Sequence, residues 1–123
     1  MKYVILIYGN PESRKIWEGL PRAERTAGLS VYAALHEDLA ASGELIVSEA
    51  LADPSLARRV PVSDSQLILA DGPFAEVKEQ LAGFFLVECE SFERAMAIAA
   101  RVPEAAYGLV EVRPVMDLSA FEL

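Results

Sequence analysis

The 123-residue chain is poor in the residues that most strong chemistry needs. It has one cysteine, Cys89, so no disulfide framework can form within it, and a reducing compartment is the natural setting. It has one histidine, His36, so histidine and cysteine together cannot supply a zinc-type ligand set. Positive charge is scarce: 11 Lys and Arg stand against 19 Asp and Glu, a formal net charge of −8. Such a chain repels phosphate backbones and anionic bilayers, which argues against nucleic-acid and membrane partners. No apolar run approaches the roughly 20 residues that a membrane-spanning helix needs. The first apolar run reaches Gly9-Asn10 within a few residues and has no cleavage site of the secretory kind. There is no P-loop, no dinucleotide fingerprint and no Gly-x-Ser-x-Gly, so no cofactor is expected. A carboxylate metal site using Asp71, Glu49 and Glu111 has no spacing motif behind it, so no metal is expected either. The expectation is a cytoplasmic, soluble protein.

What the chain does have is apolar residues, 53% of the total. Its length suits one domain, 1–123. A small domain has much surface for its volume, so this excess suggests a second buried surface, most simply a homodimer interface.

Residues 2–8, "KYVILIY", read as a strand that is apolar on both parities, hence covered on both faces. "GNPES" reads as a loop, with Trp17 anchoring a short turn after it. From Pro21 to Ser42 a helix is expected, with Gly28, Val31, Tyr32, Leu35 and Leu39 at helical spacing and Gly43 at the C-cap. Residues 44–51 form a second strand. "ARRVPV" and "QLILA" read as a hairpin around Ser63-Asp64. "AGFFLVECE" is the next strand. Ser91 caps a helix over 92–102 with Phe92, Ala95, Met96, Ala99 and Val102 as its apolar stripe and Pro103 as its stop. Residues 107–115 are the last strand.

The order is that of an α+β protein: a ferredoxin-like split βαββαβ with an inserted β-hairpin. Two helices cover one face of such a sheet. Two copies closing their free faces together would give a dimeric α+β barrel. In the last strand Val110, Val112 and Pro114 share the helix-side parity, while Tyr107, Leu109, Glu111 and Arg113 share the other. Charges buried there need partners or water.

"DGPFAEVKEQLAGFFLVE" (71–88) together with "GLVEVRPV" (108–115) resembles the YCII-related family in its DGPF branch, and the first strand and the Gly43–Leu51 region with Glu49 also fit. The resemblance covers nearly the whole chain. It implies a ferredoxin-like α+β barrel, usually dimeric, and says little about activity. Some relatives are encoded beside, or fused to, alternative sigma factors of RNA polymerase. A few distant ones are enzymes on aromatic substrates that use a His–Asp pair. Their histidine lies earlier on the first helix than His36 does, nearer to Tyr32, and Asp71 need not match their aspartate.

The candidate residues each carry two readings. Asp71-Gly72-Pro73-Phe74 is a turn in which Asp caps, Gly relaxes φ, Pro fixes it and Phe74 plugs the core. Alternatively Asp71 faces a cleft and takes or orients a substrate proton. Lys78 is a solvated loop charge or the partner of Asp71 or an anion. Glu49, Glu111 and Arg113 form an internal ion-pair network, or else line a ligand cavity in which Arg113 holds a carboxylate or phenolate. His36 is a half-exposed helix residue or a general base. Tyr32 packs in the core or lines a pocket. Three functions compete: a small-molecule enzyme, a non-catalytic sensing or interaction module linked to sigma factors, and a dimer whose polar interior is only structural. The first requires a solvent-connected pocket lined by several of these polar groups.

Overall fold

The computed structural model describes residues 1–64, 66–67, 70–72 and 78–121, with the backbone alone at 66–67 and 70–71. The main sheet has four strands: β1 (Lys2–Gly9), β2 (Leu45–Ala50), β7 (Gln80–Glu88) and β8 (Val110–Pro114). Their spatial order is β2-β7-β1-β8 and every neighbouring pair is antiparallel. Three α-helices accompany it: α1 (Pro11–Gly19), α2 (Arg22–Ser42) and α3 (Phe92–Ala99). The order of strands and main helices is the ferredoxin-like one. Between β2 and β7 lies an arm of four two-residue strands: β3 (Arg58–Arg59), β4 (Val62–Ser63), β5 (Gln66–Leu67) and β6 (Ala70–Asp71). β3 pairs with β6 and β4 with β5, as the expected hairpin requires, and Asp64 takes a left-handed φ of 50° at its tip.

Strand periodicity divides the sheet. Tyr3, Ile5 and Ile7 of β1 are buried, as are Phe85 and Val87 of β7, and they face Leu35 and Leu39 of α2 and Ala95, Ile98 and Ala99 of α3. Each large apolar side chain so buried contributes about 1.5–3 kcal/mol. Val4, Leu6, Phe84 and Leu86 point to the other face and are half-buried. Val47 pairs across from Leu86, and Glu49 across from Phe84. Ladder pairs extend this face to Glu111, opposite Leu6, and Arg113, opposite Val4. The apolar second face expected of β1 is therefore present.

Several expectations need correction. "GNPES" is not a loop: Asn10 accepts from Ser13 N (2.7 Å), and Ser13 Oγ accepts from Asn10 N (2.9 Å). With Pro11 in the first turn, this reciprocal cap starts α1, and Trp17 belongs to that helix. α3 ends at Ala99, and Pro103 opens a 3-10 turn (Pro103–Tyr107) instead of stopping the helix. Met96 is exposed and Ile98 fills the core place, so the stripe of α3 runs through Ala95, Ile98 and Ala99, and Val102 is buried just beyond the helix. The last strand is shorter than expected. Tyr107 lies in the 3-10 turn, and Gly108 (φ 70°) caps it. Leu109 is buried, and its carbonyl accepts from Tyr8 N, so it continues the β1–β8 ladder opposite Tyr8 and keeps the parity of Glu111, as expected. α2 matches its expected span, with Gly43 at φ 81°, but Val31 is exposed.

Gly83 is set by close approach. Between Ile7 and Tyr8 the β1–β7 register slips, so Ala82 has no partner on β1. A Cβ at Gly83 would lie 2.9 Å from the Glu49 carbonyl oxygen, so β2 can sit where it does only against a glycine.

Candidate functional site

At the end of the sheet where β1 and β2 stop and β7 begins, a hollow of about 960 Å³ is lined by helix-side residues and also reaches Tyr8, Glu49 and Phe84 of the open face. Its walls come from α1, α2, β2, β7 and the 3-10 turn after α3. α1 leans on α2 through Trp17, whose ring stands 3.5 Å from where a Gly28 Cβ would be, the distance of an ordinary van der Waals contact.

Tyr32 and His36 are one turn apart on α2 and both line the hollow. Leu35 and Leu39 sink into the core and fix the roll of the helix. Ser48 lies on β2 opposite Phe85, which puts its side chain on the helix side. The result is a contact between His36 Nδ1 and Ser48 Oγ of 2.9 Å. In the tautomer where Nδ1–H donates to Ser48 Oγ, Nε2 is an unprotonated base. His36 is exposed and Ser48 half-buried, so the pair is open to a ligand entering from solvent.

Gln80, Glu104 and Tyr107 also line this hollow. Glu104 sits in the 3-10 turn, and its carbonyl accepts from Leu109 N. Burial raises the Glu104 carboxyl above the usual carboxylate range, only partly offset by a backbone hydrogen bond. A smaller hollow of about 520 Å³ shares Tyr8, Asp53, Gln80 and Leu81 with the first and extends to Leu56, Ala57 and Glu79.

The expected site residues divide among these places. Tyr32, His36 and Glu49 line the large hollow. Glu111 and Arg113 are on the open face, where Tyr8 Oη donates to Glu111 Oε1 at 3.2 Å. Burial, and then the Glu111 contact, push the Tyr8 phenol up. Among the described residues no ion pair joins Glu49, Glu111 and Arg113, so the expected network is not formed within one chain. Lys78 is exposed in the segment leading into β7. Asp71 ends β6 with its backbone paired to Arg58, followed by Gly72 at φ 79°, so a strand end and turn begin where expected. The Asp71 side chain and Phe74 lie outside what the structure describes.

Sequence reasoning missed Ser48, Gln80 and Glu104. Ser48 had a signal: it is the polar residue on the core-side parity of an apolar strand. Glu104 had none beyond its place after Pro103. Among the described residues no three His, Cys, Asp or Glu side chains are grouped to hold a metal ion. No helix of the described residues is long and apolar enough to cross a membrane.

A four-stranded antiparallel sheet in this order, with helices on one face and an arm between the second and third main strands, defines an α+β protein of the ferredoxin-like kind. The chain belongs to the YCII-related domain family, whose match spans residues 1–119. It is 31% identical over 116 residues to an uncharacterised protein of Rhizobium meliloti (strain 1021), covering 93% of this chain and 91% of that one. Its fold is shared with TftG, the 5-chloro-2-hydroxyhydroquinone dehydrochlorinase of Burkholderia phenoliruptrix AC1100, solved in complex with 2,5-dihydroxybenzoquinone. There the TM-score is 0.52 and the identity 17%, with 94% of each chain covered.

Proposed function

We propose that this YCII-related protein is a homodimeric small-molecule enzyme that moves a proton on a small aromatic or anionic compound, in an isomerisation or elimination. The observation that carries this reading is the 2.9 Å His36–Ser48 contact on the wall of a 960 Å³ hollow. Ser48 holds the imidazole in one orientation, and Nε2 takes the substrate proton as general base. Elimination returns that proton to the leaving group or to water. Tyr32 supplies an aromatic wall beside the base. Asp71 is the proposed second catalytic group, on the strength of the DGPF-branch motif. That TftG, with the same fold, is a dehydrochlorinase with a quinone ligand supports a site of this general kind.

The proposed dimer rests on the open sheet face. Val4, Leu6, Phe84 and Leu86 form an apolar patch there, Ile46 and Val47 are exposed beside them, and Tyr8, Glu111 and Arg113 fringe it. Pairing two such faces would bury that patch, and dimer-sized mass in light scattering checks it.

The catalytic reading is tested by NMR in D₂O, following proton exchange at activated C–H positions across a set of small aromatic and anionic compounds. A general base contributes about 10²–10⁴ in rate. His36→Asn should lose at least about 10²-fold of the exchange seen with the active compound while keeping its fold. Equal exchange in His36→Asn removes His36 from catalysis. A second reading, a non-catalytic sensing or interaction module linked to alternative sigma factors, is favoured by exposed Met116, Leu118 and Phe121 near the C-terminus. It predicts binding without exchange.

A further inference from the structure

The large hollow has a second set of polar groups, and it is short of donors. Gln80 Oε1 and Glu104 Oε2 are both shut off from water, and among the described residues neither receives a hydrogen bond. Buried acceptors are normally satisfied, so two orphans among the residues that line one hollow mark a place where a donor belongs. Glu104 as a whole is only half-buried, and both residues line the hollow.

The electrostatics say what sort of donor. Six acidic residues line the hollow, Glu18, Glu24, Glu37, Glu49, Asp53 and Glu104, against one permanent cation, Arg14. An anion entering meets a wall of its own sign. Arg113, the residue suited to hold one, lines neither hollow among the described residues. The burial that raises the Glu104 carboxyl favours its neutral form, which donates as well as accepts.

We propose that Glu104 and Gln80 are the specificity residues of the hollow and select a neutral, hydroxyl-bearing ring over an anionic one. This rests on the hollow being the substrate site, and it narrows the aromatic-or-anionic choice to the neutral class. The two side chains accept from, and Glu104 also donates to, a hydroxyl of that ring.

The test uses a matched pair of para-substituted rings, hydroquinone and terephthalate, titrated into the full chain by NMR. Hydroquinone should shift the His36 ring signals and bind at least about tenfold more tightly than terephthalate. Glu104→Leu and Gln80→Leu should each weaken hydroquinone about tenfold, the effect of one lost hydrogen bond. Glu104→Gln, which keeps an acceptor and a donor, should weaken it less. If the leucine variants do not fold, the ligand pair on the unaltered chain decides alone. If both compounds shift His36 with equal affinity, the inference falls while the site at His36 stands. If neither shifts His36, this inference and the proposed function both fall.

Discussion

Arg94 of α3 grips Glu44, the residue that leads into β2, with two hydrogen bonds: Nε to Oε2 at 2.9 Å and a terminal guanidinium nitrogen to Oε1 at 2.8 Å. Ser42 Oγ adds a third, to Oε1, at 2.8 Å. The Glu44 carbonyl also accepts from Glu88 N, so one residue ties α3, β2 and the end of β7 together. This clamp anchors the strand that carries Ser48. The Arg94 contact first, and Ser42 second, bring the Glu44 carboxyl down from 4.5 to about 2. At about 1.4 kcal/mol per pH unit that corresponds to roughly 3 kcal/mol in full. The Arg94 side chain is 42% exposed, however, so solvent screens the pair and about 1 kcal/mol is the expected worth. The folded pKa is depressed, so the stabilisation is present above about 4.5 and disappears as pH falls through about 2. The assay is urea unfolding of the natural chain, Glu44→Gln, Arg94→Ala and the double variant, between pH 7 and pH 2. The coupling energy should be about 1 kcal/mol at pH 7, shrink with added salt and vanish at the acid end. A coupling that persists unchanged at pH 2, where the folded carboxyl is about half protonated and most of the pKa-linked stabilisation is gone, would refute the assignment of the clamp to charge.

Gly83→Ala forces a Cβ to 2.9 Å from a backbone oxygen of β2 that has no freedom to turn away, at a cost of about 1–3 kcal/mol in urea unfolding, together with displaced Ser48 and His36 signals. A normal midpoint with unmoved signals would show that β2 can shift at no cost. Glu104 carries the opposite pH sign to Glu44: its folded pKa is raised by burial, so its ionisation removes stability as pH rises above the ordinary carboxyl value through the folded one. Glu104→Gln should therefore be more stable than the natural chain at pH 7 and lack that decline, and equal melting temperatures at pH 7 would contradict it.

The parts of the fold legible in the sequence are those governed by a single strong local rule. The alternation in "KYVILIY" placed Tyr3, Ile5 and Ile7 on one face and Val4 and Leu6 on the other, and Gly43 ended α2 where a left-handed cap was needed. α1 was hidden because its start lies in side-chain reciprocity between Asn10 and Ser13, and Gly-Asn-Pro reads as a loop when weighed residue by residue. The end of α3 was misread because Pro103 dominates its neighbourhood, although the helix has already unwound after Ala99. The site was half legible. His36 and Tyr32 were marked by helical spacing, but their partner Ser48 depends on which strand residue packs across from Phe85, and that is a matter of register. Glu104 reaches the hollow only through the fold of a 3-10 turn that no local pattern announces.

Register also separates two functions that the candidate residues had suggested were one. Glu111 and Arg113 stand on β8 at positions opposite Leu6 and Val4, which fixes them to the open face beside the apolar patch. Ser48 is opposite Phe85, which fixes it to the helix side with His36. A strand presents its residues to alternate faces, so no side-chain rotation brings Arg113 to the His36 hollow without breaking the ladder. Within one chain the arginine is thus spent on the face proposed for pairing, and the hollow is left with Arg14 as its permanent cation among the described lining residues. On the proposed reading, assembly and ligand choice answer to different residues: substitution at Arg113 is expected to act first on the association of two copies, and substitution at Glu104 or His36 on what enters the hollow.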